Sequence, residues 1–210
     1  MIKGIKGHHQ PNQVRIIAGK WKNRKIHFSG SNLLRPTTDR VRETLFNWLN
    51  SYLVQANCLD LFAGSGILGF EALSRGANHV YFLEKEIKNL KNIQDNVAKL
   101  QAQQETTLIQ GVVPESANLN LSPTTPSQNN FITLQGFDIV FLDPPYHNNL
   151  IPISLNWLLN HHYLGRATLI YFEAEKQFDL NFLKGFHLYK HQMTSTLQYG
   201  LLKWETNFSE

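Results

Sequence analysis

From residue 57 onward the chain repeats one pattern: a short apolar run, an amphipathic stretch, then another apolar run. The runs "NCLDLF", "HVYFLE", "TTLIQ", "FDIVFL" and "ATLIYFE" read as strands. Between them, "GILGFEALSRG", "KEIKNLKNIQDNVAKL" and a stretch around "LIPISLNWLLNHH" read as helices. Such alternation predicts parallel strands joined by helical crossovers, with helices on both faces of one sheet. The uninterrupted apolar runs fit strands buried on both sides. The end, "FHLYKHQMTSTLQYGLLKWE", breaks the rhythm with two strands and no helix between them, so an antiparallel pair closes the sheet. The segment "NLNLSPTTPSQNN" is rich in Ser, Thr, Pro and Asn and reads as a surface loop or insertion.

The N-terminal part has a different character. "VRIIAGKWKNRKIHF" forms two strand-like stretches around a basic Gly/Asn turn, a hairpin. In "LRPTTDRVRETLFNWLNSYL", Pro36 and the threonines start a helix in which Val41, Leu45, Trp48, Leu49 and Tyr52 recur at helical spacing. Residues 1–46 hold ten Lys or Arg against Asp39 and Glu43, a charge of +8, whereas the remainder carries −4. This asymmetry points to a basic face for a polyanion. Arg15, Lys20, Lys22, Arg24, Arg40 and Arg42 are the candidate phosphate contacts, and Trp21 in the basic turn is the candidate base-stacking ring. Residues 1–53 are therefore expected to form an RNA-binding extension packed on a catalytic domain of residues 54–210.

The remaining composition excludes several classes. No stretch reaches the roughly 20 apolar residues that cross a bilayer, and the start lacks the apolar centre of a signal peptide, so a cytosolic, cytoplasmic protein without membrane contact is expected. Cys58, the single cysteine, precedes an apolar run and reads as a small buried residue. The nine histidines include two adjacent pairs, His8-His9 and His161-His162, without further ligands at useful spacing, so no metal site is expected.

The chemistry is carried by two strand ends. After the first strand of the alternation, Gly64, Gly66 and Gly69 permit positive torsions and close approach of a ligand, and the following helix presents its amide-rich end. Glu84, at the end of the next strand, is placed to accept both hydroxyls of a ribose. The spacing also satisfies a nicotinamide or flavin fingerprint and does not name the cofactor by itself. Asp60 tips the balance, because a carboxylate beside a diphosphate would repel it, whereas S-adenosylmethionine carries an ammonium and a sulfonium. The plainer reading is that Asp60 caps the glycine turn.

At the fourth strand of the alternation, "FDIVFLDPPY" stops at Asp143, and Pro144 and Pro145 prevent further pairing. In a doubly wound sheet this tip lies beside the cofactor. A nucleobase amine is a poor nucleophile, its lone pair being delocalised into the ring. The Asp143 carboxylate and the fixed Pro144 carbonyl can each accept one of its N–H bonds, with Tyr146 stacked on the base.

The segments "RIIAGKWKNRKI", "LRPTTDRVRETLFNWL", "CLDLFAGSG", "GFEALSRGA" and "FDIVFLDPPY", in this order, make the chain resemble the RsmD family of bacterial 16S ribosomal RNA guanine-N2 methyltransferases. The resemblance implies an α/β, Rossmann-like class I methyltransferase fold: a mostly parallel seven-stranded sheet with an antiparallel last strand. It implies S-adenosyl-L-methionine as donor and a guanine amine of 16S rRNA, within the small ribosomal subunit, as acceptor. Carried over by position, Asp143, Pro144, Pro145 and Tyr146 bind the amine. Asp60, Leu61, Phe62, Ala63, Gly64, Ser65, Gly66, Glu84 and Lys85 hold the cofactor, with Gly111 and Val112 near its adenine and Arg35, Pro36 and Thr37 bordering it. A monomer is the expected state. The rivals are an N6-adenine methyltransferase, since Asp-Pro-Pro-Tyr suits both bases, a nucleotide-dependent oxidoreductase, and a catalytically silent RNA-binding assembly factor.

Overall fold

The computed structural model describes residues 12–28, 38–114, 136–146, 149–183 and 185–204. Arg35, Pro36, Thr37 and the Ser/Thr/Pro-rich insertion fall outside these residues. A hairpin of β1 (Asn12–Arg15) and β2 (Lys25–Phe28) comes first, followed by helix α1 (Asp39–Leu49). The Thr38 hydroxyl caps α1 by accepting the Val41 N–H at 3.4 Å. Next come β3 (Asn57–Asp60), α2 (Ile67–Ser74), β4 (His79–Glu84), α3 (Ile87–Leu100) and β5 (Thr106–Gln110). The chain ends with β6 (Phe137–Leu142), α4 (Leu150–Asn160), β7 (Leu164–Glu175), β8 (Phe186–Met193) and β9 (Leu197–Trp204).

Seven strands form one sheet in the order β5-β4-β3-β6-β7-β9-β8. All pairs from β5 through β7 are parallel, and β9 runs antiparallel to both of its neighbours. This is the α/β sheet with an antiparallel final strand that the sequence pattern predicts. Strand residues alternate between two cores: Cys58, Val80, Phe82, Ile139 and Phe141 face α1, α2 and α3, while Leu59, Tyr81, Leu83, Val140 and Leu142 face α4. Both faces are covered, which is why these strands are apolar throughout. Burial pushes the Cys58 thiol pKa up, in keeping with an inert packing role. Among the described residues, no helix is long and apolar enough to cross a membrane.

The hairpin forms its own two-stranded sheet, yet its Ile16, Trp21 and Ile26 belong to the core shared with α1, α2 and β3. Polar contacts lock it down. The Glu71 carboxylate on α2 accepts the Ile17 and Ala18 N–H groups at 2.8 and 3.1 Å. The Ser74 carbonyl and hydroxyl accept the Lys20 and Trp21 N–H groups at 2.7 and 2.9 Å, and Ser74 Oγ donates to the Ala18 carbonyl at 2.6 Å. Gly19, at φ +81°, sits where a Cβ would lie 1.8 Å from the Ser74 carbonyl oxygen.

Two of the expected RNA contacts are corrected here. Arg42 is wholly buried, its guanidinium donating to Asp39 at 2.7 Å and to the Arg15 carbonyl at 3.0 Å and pairing with Glu71 at 3.5 Å. An internal cation held this way stitches α1 to α2 and the hairpin and cannot meet a phosphate. Trp21 is 7% exposed, packed into the core, so its ring is no stacking platform.

Candidate active site

The sheet order changes direction between β3 and β6. From β3 the chain continues to β4 and β5 on one side; from β6 it continues to β7 on the other. In doubly wound folds the ligand crevice opens at this point, beyond the carboxyl ends of the strands. Asp60 pairs with Phe141, and the Leu61 N–H donates to the Phe141 carbonyl at 3.0 Å. The glycine loop after Asp60 and the Asp143 segment two residues beyond Phe141 therefore leave the sheet side by side.

The β3 half of the site is built largely from backbone. Gly64 and Gly66 adopt φ of +52° and +76°, and the loop closes through Gly66 N–H to the Ala63 carbonyl at 2.6 Å and Ala63 N–H to the Leu83 carbonyl at 3.0 Å. Gly66 then opens α2. Leu61, Ala63 and Ser65 are buried, and Phe62 and Gly64 are half-buried. Gly69 serves packing instead: a Cβ there would lie 2.3 Å from the Phe82 ring, so its absence lets α2 settle on β4.

Glu84 is nearly buried, and its carboxylate accepts the Gly64 N–H and the Glu86 N–H, each at 2.7 Å, one on each oxygen. A carboxylate has about four acceptor positions, so two remain, one per oxygen, which matches the two hydroxyls of a ribose. Asp60 is buried and accepts the Gly69 N–H at 3.2 Å, which gives the capping reading part of its due. Burial pushes its pKa up to about 7; the Gly69 N–H pulls it down, and the nearby Glu84 charge adds to the rise. A cation placed beside it would relieve both penalties. Gly111 is buried, with its N–H on the Glu84 carbonyl at 3.1 Å; Val112 is half-buried and Lys85 exposed.

Side chains build the β6 half. Asp143 is half-buried, Pro144 buried, and Pro145 and Tyr146 exposed. The Tyr146 hydroxyl donates to Glu173 Oε1 at 2.8 Å, and the buried Tyr171 hydroxyl donates to Glu173 Oε2 at 3.0 Å. Burial, followed by the charges of Glu173 and Asp143, drives the Tyr171 pKa well above its ordinary value, so it stays a proton donor. A cleft of about 250 Å³ opens here, lined by Pro144, Pro145, Tyr146, Asn149, Glu173 and Phe178 among others. Glu173 is the residue that sequence reasoning missed. Its only signal was an acid inside the apolar run "LIYFEAE".

The other predicted phosphate contacts are on the surface. Arg15 pairs with Asp39 at 3.0 Å and Lys20 with Glu105 at 2.7 Å, while Arg24 donates to the Lys99 carbonyl at 2.7 Å; Lys22 and Arg40 are exposed. Exposed pairs of this kind contribute roughly 0–1 kcal/mol, so a phosphate can replace the partner. Among the described residues, no group of three or more His, Cys, Asp or Glu is arranged to hold a metal ion.

Comparison with known proteins decides the family. Residues 14–203 match the family described as conserved hypothetical protein 95. The ribosomal RNA small subunit methyltransferase D of Haemophilus influenzae is 40% identical over 200 residues, spanning 95% of this chain and 98% of that relative. The Escherichia coli K12 protein of the same name is 39% identical over 170 residues, 80% of this chain and 78% of the relative. The chain belongs to the RsmD family. A solved methyltransferase structure from Escherichia coli superposes on this RsmD-family chain with a TM-score of 0.74 at 35% identity, covering 92% of this chain and 99% of that one. A Haemophilus influenzae methylase structure gives 0.71 at 38% identity, with the same coverage. The fold is thus that of a class I methyltransferase, and the Gly64 loop and the Asp143 segment leave adjacent strands at the switch point, where such a fold receives its ligands.

Proposed function

We propose that this RsmD-family enzyme transfers a methyl group from S-adenosylmethionine to the exocyclic N2 amine of a guanine in 16S rRNA of the small ribosomal subunit. Methyl transfer to ribosomal RNA follows from its family membership. The finer reading rests on one observation above all: the Asp143-Pro144 segment leaves the sheet beside a glycine loop at its switch point.

The residues on the β3 side fit the donor. Glu84 keeps two acceptor positions for ribose hydroxyls, Gly64 and Gly66 leave the loop without side chains, and Asp60 offers a buried carboxyl whose ionised form a cation would favour. When bound, the donor would supply a methyl activated on a sulfonium, leaving as the neutral thioether as the S–C bond gives way to the N–C bond, and the methylated nitrogen then gives up one N–H proton. Asp143 and the Pro144 carbonyl accept the amine's two N–H bonds, turning its lone pair outward. As the nitrogen gains positive charge, Asp143 stabilises it; alignment and preorganised electrostatics carry the rate, and neither a metal nor a covalent intermediate is needed. Tyr146 gives the base a ring to stack on, once the base has left its own stack. Arg15, Lys20, Lys22, Arg24 and Arg40 hold flanking phosphates. A monomer suffices, because one chain supplies both halves of the crevice.

The test is incorporation of labelled methyl into assembled small subunits, naked 16S rRNA and duplex DNA, run side by side. Preferential labelling of small subunits is expected. Labelling of DNA alone would replace this reading with the adenine one.

A further inference from the structure

We propose that Glu173 is a positioning residue for the amine-binding segment, holding Tyr146 by its hydroxyl so that the ring and the loop behind it are presented in one orientation. This inference rests on the reading of Asp143 to Tyr146 given above.

Glu173 follows Tyr171 on the face of β7 that looks toward α1 to α3, and β6 and β7 are in register, Phe141 beside Tyr171 and Leu142 beside Phe172. The register ends at that pair, with Asp143 the next residue of the chain, and the charges of both Glu173 and Asp143 act on the Tyr171 hydroxyl. Glu173 is 4% exposed, inside a strand whose other residues from Leu169 to Ala174 are apolar apart from the Tyr171 hydroxyl. A buried carboxylate is costly to place, and a well-packed apolar residue would often serve stability as well or better. What Glu173 supplies that an apolar side chain cannot is a pair of charged acceptors. One is taken by the internal Tyr171; the other reaches across to Tyr146, which is 43% exposed on the loop after β6.

The division of labour is then clear. Pro144 and Pro145 fix the backbone torsions of the loop, but a proline leaves the side chain that follows it free to turn. The bond to Glu173 fixes that side chain through its hydroxyl while leaving ring surface exposed at the cleft. Tyr171, a buried phenol kept protonated by its surroundings, holds the far oxygen and so orients the carboxylate itself. A ring already in place loses less freedom when a base stacks on it.

The experiment compares wild type, Tyr146→Phe, Glu173→Gln and the double variant by two readouts. The first is hydrogen exchange of the Tyr146 and Asn149 backbone amides in the free protein, which requires no substrate. The second is kcat/KM on small subunits, with S-adenosylmethionine affinity measured by calorimetry. Loss of a hydrogen bond to a charged group predicts about tenfold faster loop exchange and about tenfold lower kcat/KM in each single variant. The double variant should be no worse than either, and donor affinity unchanged. Unchanged loop exchange in Tyr146→Phe, or losses that multiply in the double variant, would overturn the proposal. Tyr146 is on the surface, so Tyr146→Phe decides the matter even if Glu173→Gln fails to fold. Should the wild type leave small subunits unlabelled, that result counts against the substrate reading, and the exchange data judge the tether by themselves.

Discussion

The two halves of the crevice are made from different materials. On the β3 side the chain uses backbone: positive φ at Gly64 and Gly66, amide bonds within the loop, and one carboxylate, Glu84, that accepts two N–H groups. On the β6 side it uses side chains, with Glu173 gathering two tyrosine hydroxyls. Under the proposed function the difference follows the tasks. A small cofactor with fixed shape can be met by main-chain geometry that glycines make possible. A base swung out of RNA must be caught by a ring and by acceptors held at defined positions.

If the halves are separable, damage to one should leave the other's ligand untouched. The largest effect is expected at Asp143. Asp143→Ala should lower turnover by about 10²–10³-fold, the usual scale for losing a group that stabilises developing charge, while the calorimetric affinity for S-adenosylmethionine stays within a few-fold. A parallel loss of cofactor affinity would join the halves again. Glu84→Ala should do the opposite: by removing the acceptor for the Gly64 and Glu86 amides it should weaken cofactor binding about 30-fold, from roughly 2 kcal/mol of unmade hydrogen bonding. At saturating cofactor its turnover should recover.

A smaller effect sharpens the role of Asp60. Its carboxyl is raised from 3.8 to about 7, so in the free protein it is largely protonated below that pH. A cationic ligand favours the carboxylate, so binding must expel a proton at acid pH. Cofactor affinity should therefore rise with pH by up to about tenfold per unit below 7, then level off. In Asp60→Asn the slope should vanish. The same raised pKa has a consequence for stability: the contribution of the protonated carboxyl is fully present below about 4 and is lost as pH rises through about 7. A cofactor titration that is flat between pH 6 and 8 in the wild type would remove Asp60 from the binding site.

Much of this was legible in the sequence, for a physical reason. Gly64, Gly66 and Glu84 lie within one βαβ unit, where spacing along the chain nearly fixes spacing in the fold, and the two prolines after Asp143 mark the end of the β6 strand. Glu173 was not legible because the partner that gives it a role at the site, Tyr146, lies 27 residues away on the loop after β6, while Tyr171, two residues away on its own strand, reads as an ordinary core aromatic. Arg42 failed in the opposite direction. Its charge argued for the surface, but Glu71 waits for it inside the fold, 29 residues further on in a helix that reads as ordinary. Trp21 was misjudged for a similar reason: a basic turn around it hid the fact that its ring joins the core. Single-sequence patterns expose contacts within a unit; they are silent about which charge is neutralised by which across units.

The central claim is that a guanine N2 amine is the acceptor at the tip of β6. Mass spectrometry of nucleosides from small-subunit RNA, after incubation with the protein and isotopically labelled S-adenosylmethionine, tests it most directly. The account predicts labelled N2-methylguanosine with the wild type and an initial rate of its formation about 10²–10³-fold lower with Asp143→Ala. Label recovered as N6-methyladenosine, or N2-methylguanosine formed at the wild-type rate by Asp143→Ala, would contradict it.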